Sequence, residues 1–110
     1  MKVGLIRCQQ TEAICPGTAD FRVIREKQGA FKDVEGEIEI IGLTTCGGCP
    51  GKNAIPRAEE MIKRGADTIA LCSCITKGNP IGFPCPHAQQ IKEVLTKRIG
   101  DKVTILDWTH

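Results

Sequence analysis

Short apolar segments alternate with amphipathic segments along the whole chain, and this alternation most constrains the fold. The apolar segments cover residues 3–6, 37–43, 68–72 and 103–106. The amphipathic segments between them cover residues 18–28, 54–63 and 86–99. Strands that alternate with helices are typical of a parallel sheet with right-handed crossovers. We therefore expect an α/β fold, a single-domain three-layer sandwich over residues 1–110 with a four-stranded parallel sheet.

Two of the predicted strands differ in how their apolar residues are spaced, which indicates where they lie in the sheet. Residues 37–40 alternate as Glu-Ile-Glu-Ile, so one face of that strand meets water. Residues 68–72 form the continuous run Thr-Ile-Ala-Leu-Cys, as expected of a strand covered on both faces. The second strand therefore belongs at an edge, and the order 2-1-3-4, a truncated flavodoxin-like arrangement, fits best.

Charge and hydropathy exclude two classes of function. The 15 basic and 13 acidic residues are interleaved, and no basic stripe or aromatic platform indicates a nucleic-acid partner. No apolar run approaches the ~20 residues that a membrane-spanning helix needs. The apolar stretch at the N-terminus is too short for a signal peptide, so we expect a cytoplasmic protein.

Seven cysteines are the most informative side chains for function: Cys8, Cys15, Cys46, Cys49, Cys72, Cys74 and Cys85. An odd number of cysteines without a secretion signal indicates metal-binding or catalytic thiols rather than structural disulfides. Most of them follow the predicted strands directly. Because the carboxyl ends of parallel strands share one edge of the sheet, where ligands bind in open α/β folds, we expect these thiols to converge there.

The segment Cys46-Gly47-Gly48-Cys49-Pro50-Gly51 is the centre of this set. Two cysteines at this spacing provide half of a tetrahedral thiolate site, or equally a dithiol redox centre. A thioredoxin-like helix that begins at Cys49 would contain Pro56 in its interior, at a cost of ~3 kcal/mol. We therefore expect the helix to begin within residues 52–55, with Asn53 as its cap, and the cysteine pair to lie on a loop upstream.

Residues 76–87 form the longest irregular stretch, and three prolines should stiffen it around Cys85 and His87. We expect Cys85 to be the N-cap of the third helix, where the helix dipole favours a thiolate. His87 is close enough in sequence to face the same space. Arg7, Lys52 and Lys77 lie beside the cysteines without an assigned role, and Cys15, Cys72 and His110 also stay unassigned.

These cysteine motifs resemble those of the CGGC domain family. The resemblance rests on the 46–51 segment, and extends to Arg7-Cys8, Cys15-Pro16, Cys74 and Cys85-Pro86 over nearly the whole chain. It implies a metal-binding domain, with zinc as the metal and no assigned reaction. It also implies Cys8, Cys46, Cys49, Cys74 and Cys85 as site residues.

The residues and the resemblance together predict a zinc-binding domain whose partner is the metal ion. The predicted metal ligands are Cys8, Cys46, Cys49, Cys74, Cys85 and His87. Two alternatives use the same cysteines: a thiol–disulfide redox enzyme, and an electron carrier with an iron–sulfur cluster, since sulfur ligands also suit such clusters. No general-base pair, P-loop or dinucleotide fingerprint points to another reaction.

Overall fold

A computed structural model describes residues 1–110 and contains the expected alternation of strands and helices. The strands are β1 (Lys2–Arg7), β2 (Glu39–Thr45), β3 (Thr68–Leu71) and β4 (Thr104–Leu106). The helices are α1 (Thr18–Glu26), α2 (Ala54–Lys63), α3 (Ser73–Thr76) and α4 (Ala88–Ile99). Two single-turn 3-10 helices lie at Gln9–Thr11 and Gly29–Phe31.

The four strands form one parallel sheet in the order β2-β1-β3-β4, which confirms the predicted order. The connection from β1 to β2 runs toward one edge of the sheet. The connections from β2 to β3 and from β3 to β4 run toward the opposite edge. Right-handed crossovers therefore place α1 on one face of the sheet and α2 and α4 on the other. The contacts of α2 with β1, β2 and α4 agree with this three-layer arrangement.

The core lies between the two central strands and the helices that cover them. Every residue of β3 is buried, as the continuous apolar run predicted. On α2 and α4 the buried residues recur at helical spacing and form one stripe on each helix. The buried residues of α2 are Ala54, Ile55, Ala58 and Met61, and those of α4 are Ile91, Leu95 and Ile99.

Strand β2 lies at an edge of the sheet, as predicted, but exposure along it does not alternate as its sequence suggested. Glu39, Ile40 and Leu43 are exposed. The expected start of the strand at residue 37 was too early, because the ladder with β1 begins with the pair Lys2 and Glu39.

Helix ends depart from the sequence-based expectations in three places. The residue that precedes α1 is Gly17, in the left-handed region at φ +85°, so Thr18 is the first helical residue rather than the cap. Helix α4 begins at Ala88 with His87 as its N-cap, two residues later than expected. The short helix α3 was not predicted, because four residues are too few to show helical periodicity.

None of the helices combines the length and the apolar character that crossing a membrane requires.

Candidate functional site

The carboxyl ends of three neighbouring strands bring cysteines together. Strand β1 ends beside β2 at the pair Arg7 and Thr45. Beyond the ladders, the Cys46 N–H donates to the Arg7 carbonyl (2.8 Å), and the Cys72 N–H donates to the Ile6 carbonyl (2.9 Å). Parallel pairing thus fixes the backbone positions at which Cys8, Cys46 and Cys72 leave the sheet.

Four of the predicted ligands line one small cavity at this edge of the sheet: Cys8, Cys46, Cys49 and Cys85. They come from the segments after β1 and β2 and from the loop before α4. The side chains of Ile75 and Ile91 complete the apolar part of the wall. The cavity has a volume of about 10 Å³, which is close to the space of one water-sized sphere.

The side chains in this cavity do not yet form a coordination shell. No group of three or more histidine, cysteine, aspartate or glutamate side chains is arranged so that it could hold a metal ion. All seven cysteines are free thiols. The chemistry of four sulfur donors nevertheless suits a thiophilic ion.

The loop that carries Cys46 and Cys49 precedes α2, as predicted, and depends on its glycines. Gly47 and Gly48 have φ angles of +80° and +97°, in the region that residues with a Cβ rarely adopt. A Cβ atom on Gly47 would collide with the Cβ of Asn53. Asn53 is the N-cap residue of α2, although its side chain makes no capping hydrogen bond.

Arg57, which the sequence analysis did not single out, holds the start of this loop. Its Nη1 donates to the carbonyl oxygen of Thr45 (3.0 Å) and to Thr45 Oγ1 (2.9 Å). Thr45 Oγ1 also accepts a hydrogen bond from the Gly47 N–H (3.2 Å). No sequence signal separates Arg57 from Lys63, the other basic residue of α2, because the role of Arg57 depends on the placement of α2 beside the end of β2.

Cys85 is held at the cavity by backbone contacts. Its N–H donates to the Ile75 carbonyl (2.8 Å), and its Sγ accepts a hydrogen bond from the His87 N–H (3.3 Å). Burial raises the pKa of Cys85, the His87 N–H lowers it, and repulsion from Cys49, Cys8 and Cys46 raises it. Cys85 is not the N-cap of α4, so the expected contribution of the helix dipole at that position was wrong.

The other two predicted ligands, Cys74 and His87, do not line the cavity. Cys74 is buried, and its Sγ accepts a hydrogen bond from the Cys8 N–H (3.1 Å). Burial is the main cause that raises the pKa of Cys74. The contact of His87 with the site is made by its backbone N–H. Cys15 lies outside the cavity on the loop before α1 and is half-buried.

A buried polar cluster on the other side of β3 was not foreseen. Asp20 of α1 is buried and accepts a hydrogen bond from Thr109 Oγ1. His110 Nε2 lies 3.7 Å from the same carboxylate oxygen. Burial raises the pKa of Cys72 well above its usual range, and the nearby Asp20 carboxylate adds to the rise. Cys72 is therefore a buried neutral thiol, and Asp20 anchors the last two residues of the chain.

The three basic residues near the cysteines have separate environments. Arg7 is buried, and its Nη2 donates to Thr11 Oγ1 (3.3 Å). Lys77 lies over the ring of Trp108, with its Nζ 4.2 Å from the ring centre. Lys52 is exposed and makes no ion pair.

Fold and site together define a cysteine-rich α/β domain with thiols gathered at the carboxyl edge of a four-stranded parallel sheet. The chain belongs to the CGGC domain family, whose profile matches residues 2–110.

Two relatives come from Methanocaldococcus jannaschii, and both are described as uncharacterized proteins. MJ0582 is 40% identical over 81 residues, which cover 67% of this chain and 62% of that protein. MJ0766 is 33% identical over 66 residues, which cover 59% of this chain and 94% of that protein. The chain thus spans less than two thirds of the length of the first relative. No solved structure gives a significant match.

Proposed function

We propose that this domain binds a single thiophilic metal ion, zinc, in the cysteine-lined cavity. The observation that carries the proposal is that Cys8, Cys46, Cys49 and Cys85 line one cavity of about 10 Å³ although they are distant in sequence. Four thiolates are a common ligand set of structural zinc sites. A cavity of this size favours one ion over a multi-iron cluster. Zinc, when bound, supplies a cross-link between the segments that follow β1 and β2 and the loop before α4.

The free energies of thiol ionisation and zinc binding also favour a metal. Holding one thiol ionised at pH 7 costs about 2 kcal/mol from a reference pKa near 8.5, so four cost about 8 kcal/mol before their mutual repulsion. The raised pKa of Cys85 adds to this cost. Structural zinc binding contributes about 10–16 kcal/mol in small peptides at pH 7. Zinc binding therefore offsets the cost of ionising its thiol ligands.

The backbone around the cavity supports thiolate ligands. The His87 N–H donates to Cys85 Sγ, and such hydrogen bonds stabilise a thiolate. The positive φ angles of Gly47 and Gly48 allow the exposed Cys49 to turn toward Cys46. Cys74 and His87 remain in the candidate set, Cys74 through its contact with the Cys8 N–H and His87 as a donor to Cys85. We place the protein in the cytoplasm, where thiols remain reduced.

Metal content and affinity test the proposal. Protein purified without oxygen should contain about one zinc per chain and should resist a weak chelator. Cys46→Ser and Cys49→Ser should each weaken zinc binding at least a hundredfold, because each removes a ligand. Cys15→Ser is the matched control, since Cys15 is a thiol of the same domain that lies outside the cavity. Equal affinity in all variants, or no metal with seven titratable thiols, would refute the proposal.

A thiol–disulfide redox enzyme is the second candidate, and the different exposure of two thiols favours it. Cys49 is exposed whereas Cys46, three residues earlier, is buried. An accessible attacking thiol with a shielded resolving partner is the usual arrangement of a dithiol redox centre. The rate of Cys49 alkylation against pH separates the two functions. A single thiol that reacts fast well below pH 8 in metal-free protein supports redox chemistry, and slow reaction below pH 8 counts against it.

A coloured protein after anaerobic reconstitution with iron and sulfide would instead indicate an iron–sulfur cluster.

A further inference from the structure

A second cavity lies against the outer side of the cysteine loop, between α2 and α4. It has a volume of about 350 Å³, which is within the range of small-molecule sites. Ile55, Ile91 and Val94 provide its aliphatic surface, and Pro50 and Pro56 border it. Val94 is 38% exposed and so presents aliphatic surface to the cleft.

The polar side chains of this cleft leave one positive charge without a partner. Arg98 Nη2 lies 3.5 Å from Glu59 Oε1, so these two charges offset each other. Lys52, at the end of the cleft near the cysteine loop, makes no ion pair and no side-chain hydrogen bond within the chain. The side-chain amide of Gln90 also makes no hydrogen bond within the chain. Two cations against one carboxylate leave the cleft with a net charge of one positive unit. An apolar surface with one free ammonium and one free amide is complementary to an aliphatic anion.

The cleft and the thiol cavity share a wall. Pro50, Gly51 and Ile91 line both. A Cβ on Gly51 would lie 2.5 Å from Ile91 Cδ1, so glycine is what allows α4 to pack this closely on the loop. An occupant of the cleft would therefore rest against the residue that follows the exposed Cys49.

We propose that this cleft binds a small aliphatic carboxylate. The carboxylate lies at Lys52 and Gln90, and the hydrocarbon chain covers Ile55, Ile91 and Val94. The inference needs the cleft and its charge but not the metal, so it stands apart from the proposed zinc site. It adds a ligand site beside the thiols to the function proposed above.

Titration of the whole protein with octanoate, followed by amide NMR shifts, tests the inference. Saturable binding is expected with a dissociation constant of roughly 1 mM or tighter, a range consistent with ten non-hydrogen atoms. Octanol and octylamine, which keep the chain but lose or reverse the charge, should bind at least threefold more weakly. Binding of octylamine as tight as that of octanoate would overturn the proposal.

Three variants complete the test. Lys52→Gln should weaken octanoate binding about threefold to tenfold, as expected for loss of a charged contact. Lys97→Gln removes an equal charge from α4 outside the cleft and should leave the affinity unchanged. Val94→Glu places a negative charge on the exposed aliphatic surface and should abolish binding. Equal affinities for Lys52→Gln and Lys97→Gln would refute the assignment.

The two sites are separable by experiment. Cys46→Ser should retain octanoate binding, and Lys52→Gln should retain zinc binding. Octanoate binding that is threefold to tenfold weaker in Lys52→Gln, with zinc content unchanged, supports the cleft by itself. No octanoate binding in a protein that holds zinc would defeat the cleft proposal and leave the metal proposal standing.

Discussion

Replacement of Gly47 by alanine should destabilise the domain through two effects that the structure separates. The φ angle of Gly47 is +80°, and a residue with a Cβ in the left-handed region costs about 1–2 kcal/mol. The new Cβ would also overlap the Cβ of Asn53. Because a Cβ is bonded directly to the backbone, no side-chain rotation can relieve this overlap, and the backbone of Asn53 is held by its position at the start of α2. Overpacking of this kind costs about 1–3 kcal/mol. The expected total loss in the free energy of unfolding is about 2–5 kcal/mol.

Gly36→Ala is the matched control for this measurement. Gly36 has a similar φ of +77°, but a Cβ there would meet no atom within 4 Å. This variant therefore carries only the backbone cost of about 1–2 kcal/mol. With a urea m-value of about 2 kcal/mol per M, the unfolding midpoint of Gly47→Ala should lie about 1 M below that of Gly36→Ala.

The same pair of variants tests whether the loop geometry serves the proposed metal site. Gly47→Ala should weaken zinc binding at least tenfold, because the shifted loop separates Cys46 from Cys49. Gly36→Ala should bind zinc as the parent protein does. Equal urea midpoints for the two variants would show that the contact between Gly47 and Asn53 does not constrain the loop, and the reasoning would fail.

Three further predictions concern ionisable groups. Asp20→Ala should lower the free energy of unfolding by about 1–3 kcal/mol in urea, because it removes the acceptor of the buried Thr109 hydroxyl, whereas Asp20→Asn should restore much of the loss. The pKa of Cys72 is raised in the folded protein, so above pH ~8.5 the thiol ionises in the unfolded chain but not in the folded one. The free energy of unfolding of the apo protein should therefore fall by up to about 1.4 kcal/mol per pH unit in that range. Cys72→Ala should flatten that alkaline slope in urea melts, and an unchanged slope would contradict the assignment. Zinc affinity in competition titrations should fall as the pH is lowered from 8 to 6, because a metal displaces the proton of a thiol ligand and the pKa of Cys85 is raised.

The strand order was predictable because burial leaves a direct trace in the spacing of apolar residues. The alternation from Glu37 to Ile40 indicated one wet face, and β2 is an edge strand. The start of α2 was predictable from one residue, because Pro56 is tolerated only near the beginning of a helix. Helix α3 was not predictable, since its four residues lie next to the buried end of β3 and carry no periodic signal.

The candidate site was predictable in its location but only partly in its members. Cysteines that follow parallel strands must lie at one edge of the sheet, and Cys8 and Cys46 do so. Sequence spacing could not show that the Cys74 thiol contacts the Cys8 backbone rather than the cavity, because that depends on the turn into α3. It also could not show that Arg57 holds the loop, since the contact joins residues twelve positions apart through the docking of α2 on the sheet.

The α/β class, the order of the strands and the edge at which the thiols collect could all be inferred from the spacing of apolar residues and cysteines. These follow from the spacing of apolar residues within each segment and from the parallel sheet that alternating strands and helices form. Three features emerge only from the folded molecule: the four thiols that share a cavity, the contact of Asp20 with the chain's last residues, and the charged cleft beside the cysteine loop. Those features depend on side-chain packing between elements far apart in the chain. The spacing of residues within one segment carries no information about that packing.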